Sequence, residues 1–173
     1  KNNKIPQFRV MQLITASLLH DTGMLRMPEE IIKKEGKLTP DELNTIRMHT
    51  YHSYQVVMQE LKYHEDIAVM VLYHHEKWNG KGYPKSIKGD AIPLGARIIA
   101  VADAYEAMLN QRPYRDALIG YNAMKNILSD NGTHFDPDIL KSFLQCFGIY
   151  PIGSYVLLNN SMVGLVIGVN SNA

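Results

Sequence analysis

His74-His75-Glu76-Lys77-Trp78-Asn79-Gly80-Lys81-Gly82-Tyr83-Pro84 is where helical spacing in this chain stops. Gly80, Gly82, Pro84, Gly89 and Pro93 punctuate the sequence from His75 to Pro93, which predicts a long loop. Loops of that length are uncommon inside a compact domain unless they serve a site. This one opens on two adjacent imidazoles. Before it, from about Asp66, residues Ile67, Met70, Val71 and His74 share one side of a helix. After it, Leu94, Ile98, Val101, Tyr105 and Met108 resume the helical period.

Working outward, the second of these helices carries Asp103 in an otherwise apolar run, Ile98-Ile99-Ala100-Val101-Ala102-Asp103-Ala104. An ionised carboxylate in such surroundings is costly unless a metal or a cation lies beside it, and Arg97 or Arg112 could equally be that cation. Toward the N-terminus, Phe8, Met11, Ile14, Ala16, Leu18 and Leu19 predict an apolar helix running into His20-Asp21, broken by Gly23. A short helix is expected to start at Met27-Pro28-Glu29-Glu30 and to close at Gly36. Thr39-Pro40-Asp41-Glu42 has the form of a capping box with proline at the first helical position. Leu43, Ile46, Thr50, Tyr54, Val57 and Leu61 then keep one helical face.

Two further helices are expected at 121–128 and 138–147. Tyr155-Val156-Leu157-Leu158 and residues 163–169, around Asn159-Asn160, predict two short strands and a turn. The fold class is therefore all-α, a helical domain over 1–148 with a short β-hairpin-like tail over 149–173 packed on it.

The 173 residues are about one domain long. With 18 basic and 17 acidic residues the net charge is +1, which argues against a duplex nucleic-acid binder but leaves small anionic ligands open. The single cysteine, Cys146, forms no intramolecular disulfide and fits a reducing, cytoplasmic setting. No apolar run approaches the roughly 18 residues of a membrane span. The N-terminus lacks a signal peptide and starts abruptly, as a piece of a longer protein would.

The chemistry sits on His20, Asp21, His49, His74, His75 and Asp103. Imidazole and carboxylate together suit divalent Mn, Fe, Co, Ni or Zn, with Mg reachable through carboxylate and water. Taken singly, each histidine on an apolar face is more commonly a hydrogen-bonded core residue than a ligand, so spacing alone leaves both accounts open.

The chain resembles the HD-GYP family of the HD superfamily over nearly its whole length. The resemblance is carried by Leu18-Leu19-His20-Asp21-Thr22-Gly23, Met48-His49, the block from His74 to Pro84, Gly89-Asp90, Ile92-Pro93, Ala96-Arg97-Ile98, Ala102-Asp103, Arg112-Pro113-Tyr114-Arg115 and Gly132-Thr133-His134-Phe135-Asp136-Pro137. It implies an HD-type helical bundle and a metal-dependent phosphodiesterase of bacterial second-messenger signalling. The family hydrolyses cyclic di-GMP to the linear dinucleotide, and in many members onward to GMP; a relative such as cyclic GMP-AMP is the other expected substrate. By the same resemblance, His20, Asp21, His49, His74, His75 and Asp103 hold two divalent ions, Fe or Mn, with Asp21 bridging and His20 and Asp21 central to catalysis. Arg112, Arg115, Tyr83 and Glu106 fall on substrate-binding positions. The resemblance also implies an N-terminal sensory or receiver domain and a diguanylate cyclase domain as partner. His52, His64 and His134 match no ligand position.

Several positions depart from the family pattern. Met24 stands where the family has lysine after its first motif, and a thioether neither meets phosphate nor donates a proton. Asn79 and Glu106 each replace an aspartate, and Thr50 and Ser53 replace the proline and glycine that usually follow His49. These departures motivate the alternative reading, a catalytically degenerate domain that senses cyclic dinucleotides or binds protein partners. A third metal, held in some members by an upstream glutamate, finds no carboxylate in residues 1–19.

Overall fold

A computed structural model of the chain describes residues 5–110 and 120–168. It is mostly helical, as expected from the sequence. The helices are α1 (Gln7–Leu19), α2 (Glu29–Ile32), α3 (Pro40–Arg47), α4 (His49–Gln55), α5 (Glu65–Tyr73), α6 (Leu94–Leu109), α7 (Gly120–Ser129) and α8 (Pro137–Phe147). They are succeeded by two strands, β1 (Tyr155–Leu157) and β2 (Val163–Leu165). The chain divides into two units, Lys1–Ala100 and Val101–Ala173, with the division falling inside α6. Among the described residues no helix is long and apolar enough to cross a membrane.

The first unit is built around Ala16, Val57, Ile67, Ala68, Met70, Val71 and Ile99, with Leu13, Leu19, Tyr54 and Met58 packed against them. Only one side of α1 enters this core. Ala16 is fully buried, whereas Phe8, Met11, Ile14 and Leu18 are exposed. The capping box at the start of α3 is present in both directions. The Glu42 amide donates to Thr39 Oγ1 at 3.3 Å, and the Thr39 amide donates to Glu42 Oε2 at 2.7 Å. The salt bridge from Lys34, first among several contacts, holds the Glu42 carboxyl below its usual range.

The face running from Leu43 to Leu61, expected on one continuous helix, is divided in the structure. The chain turns at Met48 between α3 and α4, and α4 then widens into a π turn at Val56–Glu60. Widening a helix rotates the residues beyond the wide turn away from the 3.6 period. Thr50 and Val57 are accordingly buried while Leu43 and Leu61 are exposed. The break at Met48 puts His49 at the head of α4, fully inside the unit.

Between α1 and α2 the chain makes a tight 3-10 turn, Thr22–Arg26, that packs directly on α4. Gly23 is the point of contact. A Cβ there would lie 2.1 Å from the His49 carbonyl oxygen and 2.5 Å from the Ser53 nitrogen. Its amide donates to the buried Ser53 hydroxyl at 2.7 Å. The turn carrying Asp21 and the helix carrying His49 are thus fixed against each other with no room for a side chain.

The second unit has its own core of Val101, Tyr105, Ala123, Met124, Ile127, Phe135 and Leu140. Asp136 caps α8 by accepting from the amides of Asp138 and Ile139, with Pro137 in the first turn, so the helix starts one residue earlier than expected. The strands pair antiparallel in the register Tyr155↔Leu165, Val156↔Gly164 and Leu157↔Val163. Both are shorter than the sequence suggests. The Leu158 amide donates to the Met162 carbonyl and Ser161 takes φ +63°, so the turn consumes the end of β1, while β2 begins where expected and stops at Leu165. Position 169, the expected end of the second strand, lies outside the described residues.

Gly23→Ala should destabilise the chain by about 2–3 kcal/mol, because the new methyl meets backbone that cannot rotate away. Equilibrium urea unfolding at fixed metal content measures it.

Candidate metal centre

Three histidines sit at helix ends and share one device. His20 caps the C-terminus of α1, His74 caps that of α5, and His49 begins α4. In each, Nδ1 lies 2.7 Å from a backbone carbonyl three residues earlier, that of Ser17, Ile46 and Val71 for His20, His49 and His74 respectively. A carbonyl oxygen only accepts, so Nδ1 must be the protonated nitrogen in all three rings. Nε2 then carries a lone pair or a second proton, and its direction is set by the backbone. The same carboxylate faces all three. Asp21 Oδ1 lies 3.2 Å from His49 Nε2 and 3.5 Å from His74 Nε2, and Oδ2 lies 3.5 Å from His20 Nε2.

His49 and His74 are 3% and 1% exposed, yet neither Nε2 makes a hydrogen bond among the described residues. The distances are those of ion pairs without the alignment of an N–H···O bond, so nitrogens and oxygens converge on common ground rather than on each other. Buried polar atoms left this way call for a partner. A lone pair facing a carboxylate at this range needs positive charge between them. Burial raises the Asp21 carboxyl, but the approach of His49 and His74 and the charge of His20 and His74 outweigh it. The result is a carboxyl held well below the usual carboxylate range. The C-terminal ends of α1 and α5 add their partial negative charge to the same demand for a cation.

His75 completes the cluster. One ligand atom from each of Asp21, His49, His74 and His75 lies within 4.8 Å of the others. Their imidazole and carboxylate donors, with the tautomers of His49 and His74 fixed by backbone carbonyls, fit a divalent transition metal. The Tyr83 ring lies 4.9 Å from that of His75 at 32°, and the Arg47 guanidinium lies 5.2 Å from the centre of the Tyr83 ring.

The loop that delivers Tyr83 folds back on the His74-His75-Glu76 turn. A Cβ at Gly82 would lie 2.3 Å from the Lys77 nitrogen and 2.6 Å from the His75 carbonyl oxygen. The Tyr83 amide donates to the His75 carbonyl, and the Lys85 amide donates to Glu76 Oε1 at 2.6 Å. Burial raises the Glu76 carboxyl, against the pull of the backbone amides of Lys85, Ser86 and Ile87. Asn79 accepts from the Lys81 amide at 2.9 Å, a turn that aspartate would make equally well.

Of the residues singled out from the sequence, His20, Asp21, His49, His74, His75 and Tyr83 are brought together in the first unit. Asp103 and Glu106 lie on α6 in the second unit; Asp103 is half-buried, and Glu106 is exposed and bonded to Asn110. Arg112 and Arg115 lie outside the described residues. Met24 is half-buried in the 3-10 turn that succeeds Asp21. His52, His64 and His134 contact Gln55, Asp66 and Asp130 respectively. Arg47 and Ser53 gained no role from the sequence. Both lie within four residues of His49, and neither type at that spacing signals a site.

A family model described as HD domain matches residues 1–139. A cyclic di-GMP phosphodiesterase of Pseudomonas aeruginosa is 34% identical over 164 residues, 95% of this chain and 39% of that protein. A probable cyclic di-GMP phosphodiesterase of Vibrio cholerae is 39% identical over 136 residues, 75% of this chain and 31% of that protein. Among solved structures, an HDG"Y"P protein from Bdellovibrio bacteriovorus superposes with a TM-score of 0.61 at 19% identity, over 77% of this chain and 42% of that one. The chain belongs to the HD domain family. Its resemblance to the HD-GYP class, drawn from the His-His-Glu block and the Gly-Tyr-Pro loop, is borne out by these relatives. The chain spans about two fifths or less of the length of the curated relatives it matches.

Replacing a ligand should weaken divalent-metal binding by more than about 100-fold, beyond the range typical of outer-sphere partners. Asp21→Ala and His74→Ala should both lose the metal, while His52→Ala keeps wild-type stoichiometry. Metal content by mass spectrometry after anaerobic loading reads the difference.

Proposed function

We propose that this domain is a metal-dependent phosphodiesterase that hydrolyses cyclic di-GMP to the linear dinucleotide, with cyclic GMP-AMP as the related alternative substrate. The observation that carries the reading is the convergence of buried, backbone-oriented Nε2 atoms on the Asp21 carboxylate beneath the Tyr83 loop. Its support from outside the chain is the cyclic di-GMP phosphodiesterase activity for which relatives aligning with most of its length are named.

In this reading His20, Asp21, His49, His74 and His75, joined by Asp103, hold two divalent ions, with Fe or Mn taken from the family resemblance among the several metals that imidazole and carboxylate donors suit. Bound there, the ions supply Lewis acidity, acidifying a water and polarising the phosphodiester. The chain's own groups do the remainder. The three Nδ1–H bonds keep the Nε2 directions fixed without ligand reorganisation. Buried His49 and His74 close one side of the site, and half-exposed Asp21 leaves the other open to solvent and substrate. Tyr83 presents a ring face, Arg112 and Arg115 meet phosphate through guanidinium forks, and Glu106 contacts the substrate from α6. The leaving ribose 3′ oxygen needs a proton, and Met24 has none to give.

The Gly82-Tyr83-Pro84 loop faces a diguanylate cyclase partner, and a sensory or receiver domain precedes this one in a protein of the cytoplasm. The greater length of the relatives and the lone cysteine support that setting.

After anaerobic loading with Fe(II) or Mn(II), the purified protein should convert cyclic di-GMP to linear product, monitored by chromatography. Chelation and Asp21→Ala should each abolish it. Full metal occupancy without product from cyclic di-GMP or cyclic GMP-AMP would overturn the enzymatic reading in favour of a degenerate binding domain.

Met24→Lys tests the missing acid. If protonation of the leaving oxygen limits turnover, the rate at saturating substrate should rise on the order of 10²-fold. An unchanged rate would mean that solvent or another group already supplies the proton.

A further inference from the structure

Nothing in the proposed chemistry uses Glu76, the third residue of the His-His-Glu turn. The residue is nevertheless 3% exposed. Burying an ionised carboxylate is expensive unless it is paired or well hydrogen-bonded. The groups that favour its anionic form are the backbone amides of Lys85, Ser86 and Ile87. The Lys85 amide is bonded to Oε1 at 2.6 Å, a bond spanning nine residues, while Oε2 has no hydrogen-bond partner among the described residues.

The segment that these amides belong to is the far limb of the loop. Ser86 takes φ +54°, and its hydroxyl donates to the Gly82 carbonyl at 3.0 Å, so the chain from Gly82 to Ser86 closes on itself. The near limb is held by the Tyr83 amide on the His75 carbonyl and by the contact of Gly82 with Glu76 and Lys77. Glu76 therefore ties the outer limb to the turn that carries His74 and His75. Tyr83 lies between the two attachments, with its ring against His75.

We propose that Glu76 is a positioning residue: its carboxylate clamps residues 82–87 onto the His74-His75 turn and so sets where Tyr83 stands over the metal cluster. The kinetic side of this rests on the phosphodiesterase reading; the structural side does not. A clamp differs from a core residue in what its loss disturbs. A core residue supports the whole unit, whereas a clamp releases one loop. It also differs from a ligand, since its removal leaves the metal in place.

The test uses the whole chain, loaded with Mn(II), as wild type, Glu76→Ala and Glu76→Gln. Amide hydrogen exchange at Lys85, Ser86 and Ile87 should quicken by at least about tenfold in Glu76→Ala, with the amides of α4 and α5 unchanged. Metal stoichiometry should stay at the wild-type value. KM for cyclic di-GMP should rise about tenfold with kcat little altered, the pattern of lost substrate positioning. Glu76→Gln keeps an acceptor for Lys85 and should fall between the two, in exchange and in KM. Should Glu76→Ala fail to fold, the same local change at Lys85 in Glu76→Gln carries the test.

Unchanged exchange at 85–87 in both variants would overturn the proposal. So would exchange that rises equally through α4 and α5, or loss of metal, since those mark a core or ligand-supporting role. If the wild type turns over no cyclic dinucleotide while exchange changes locally, the clamp stands and the phosphodiesterase reading falls.

Discussion

The site depends on three hydrogen bonds from histidine Nδ1 to backbone carbonyls three residues earlier. Helix ends leave carbonyls without intrahelical partners, and a histidine placed there can satisfy one with the proton on its near nitrogen. Doing so fixes the tautomer, orients the ring and turns the far nitrogen inward. At His20, His49 and His74 the chain uses the same geometry, and Asp21 is the group on which all three converge. The rest of the first unit is arranged to keep those helix ends in register. Gly23 meets α4 without a side chain between them, and the buried Ser53 hydroxyl accepts its amide. A displacement of either element would separate Asp21 from His49 and undo the convergence.

Much of this was legible in the sequence, and the parts that were not share a cause. The capping box at Thr39 and Glu42 is a local device, encoded in four residues, and it forms as read. The loop after His75 announces itself by glycine and proline. The apolar helix before His20 is evident, but its buried face is not: α1 is apolar around most of its circumference, so periodicity does not say which stripe enters the core. Ala16, the smallest of the candidates, is the one fully enclosed. The break at Met48 and the π turn at Val56–Glu60 escape a periodic reading because both depart from the period on which it relies. The cluster itself joins segments from residues 20 to 83. Its members could be nominated from composition, but their meeting depends on packing between helices, which no local pattern encodes; the resemblance supplied that link.

The departures from the family pattern divide sharply once their contacts are known. Asn79 does through its side-chain oxygen what aspartate would do, accepting the Lys81 amide. Ser53 does more than fill the place of a glycine, because its hydroxyl satisfies the Gly23 amide in a buried setting where an unpaired N–H would be costly. Thr50 donates to the Arg47 carbonyl at 3.1 Å, replacing a proline that has no such donor. These substitutions alter how the scaffold is tied without removing a group from the ligand cluster. Met24 is different in kind. It comes directly after the turn glycine, in the 3-10 segment beside Asp21, where the resemblance implies a lysine, a cation and proton donor that a thioether does not replace. In the proposed reaction, metal binding and water activation do not require the lost lysine, whereas departure of the 3′ oxygen does benefit from an acid. In that reading the change bears on the rate of one step and not on the integrity of the site, consistent with the convergence of His20, His49 and His74 on Asp21.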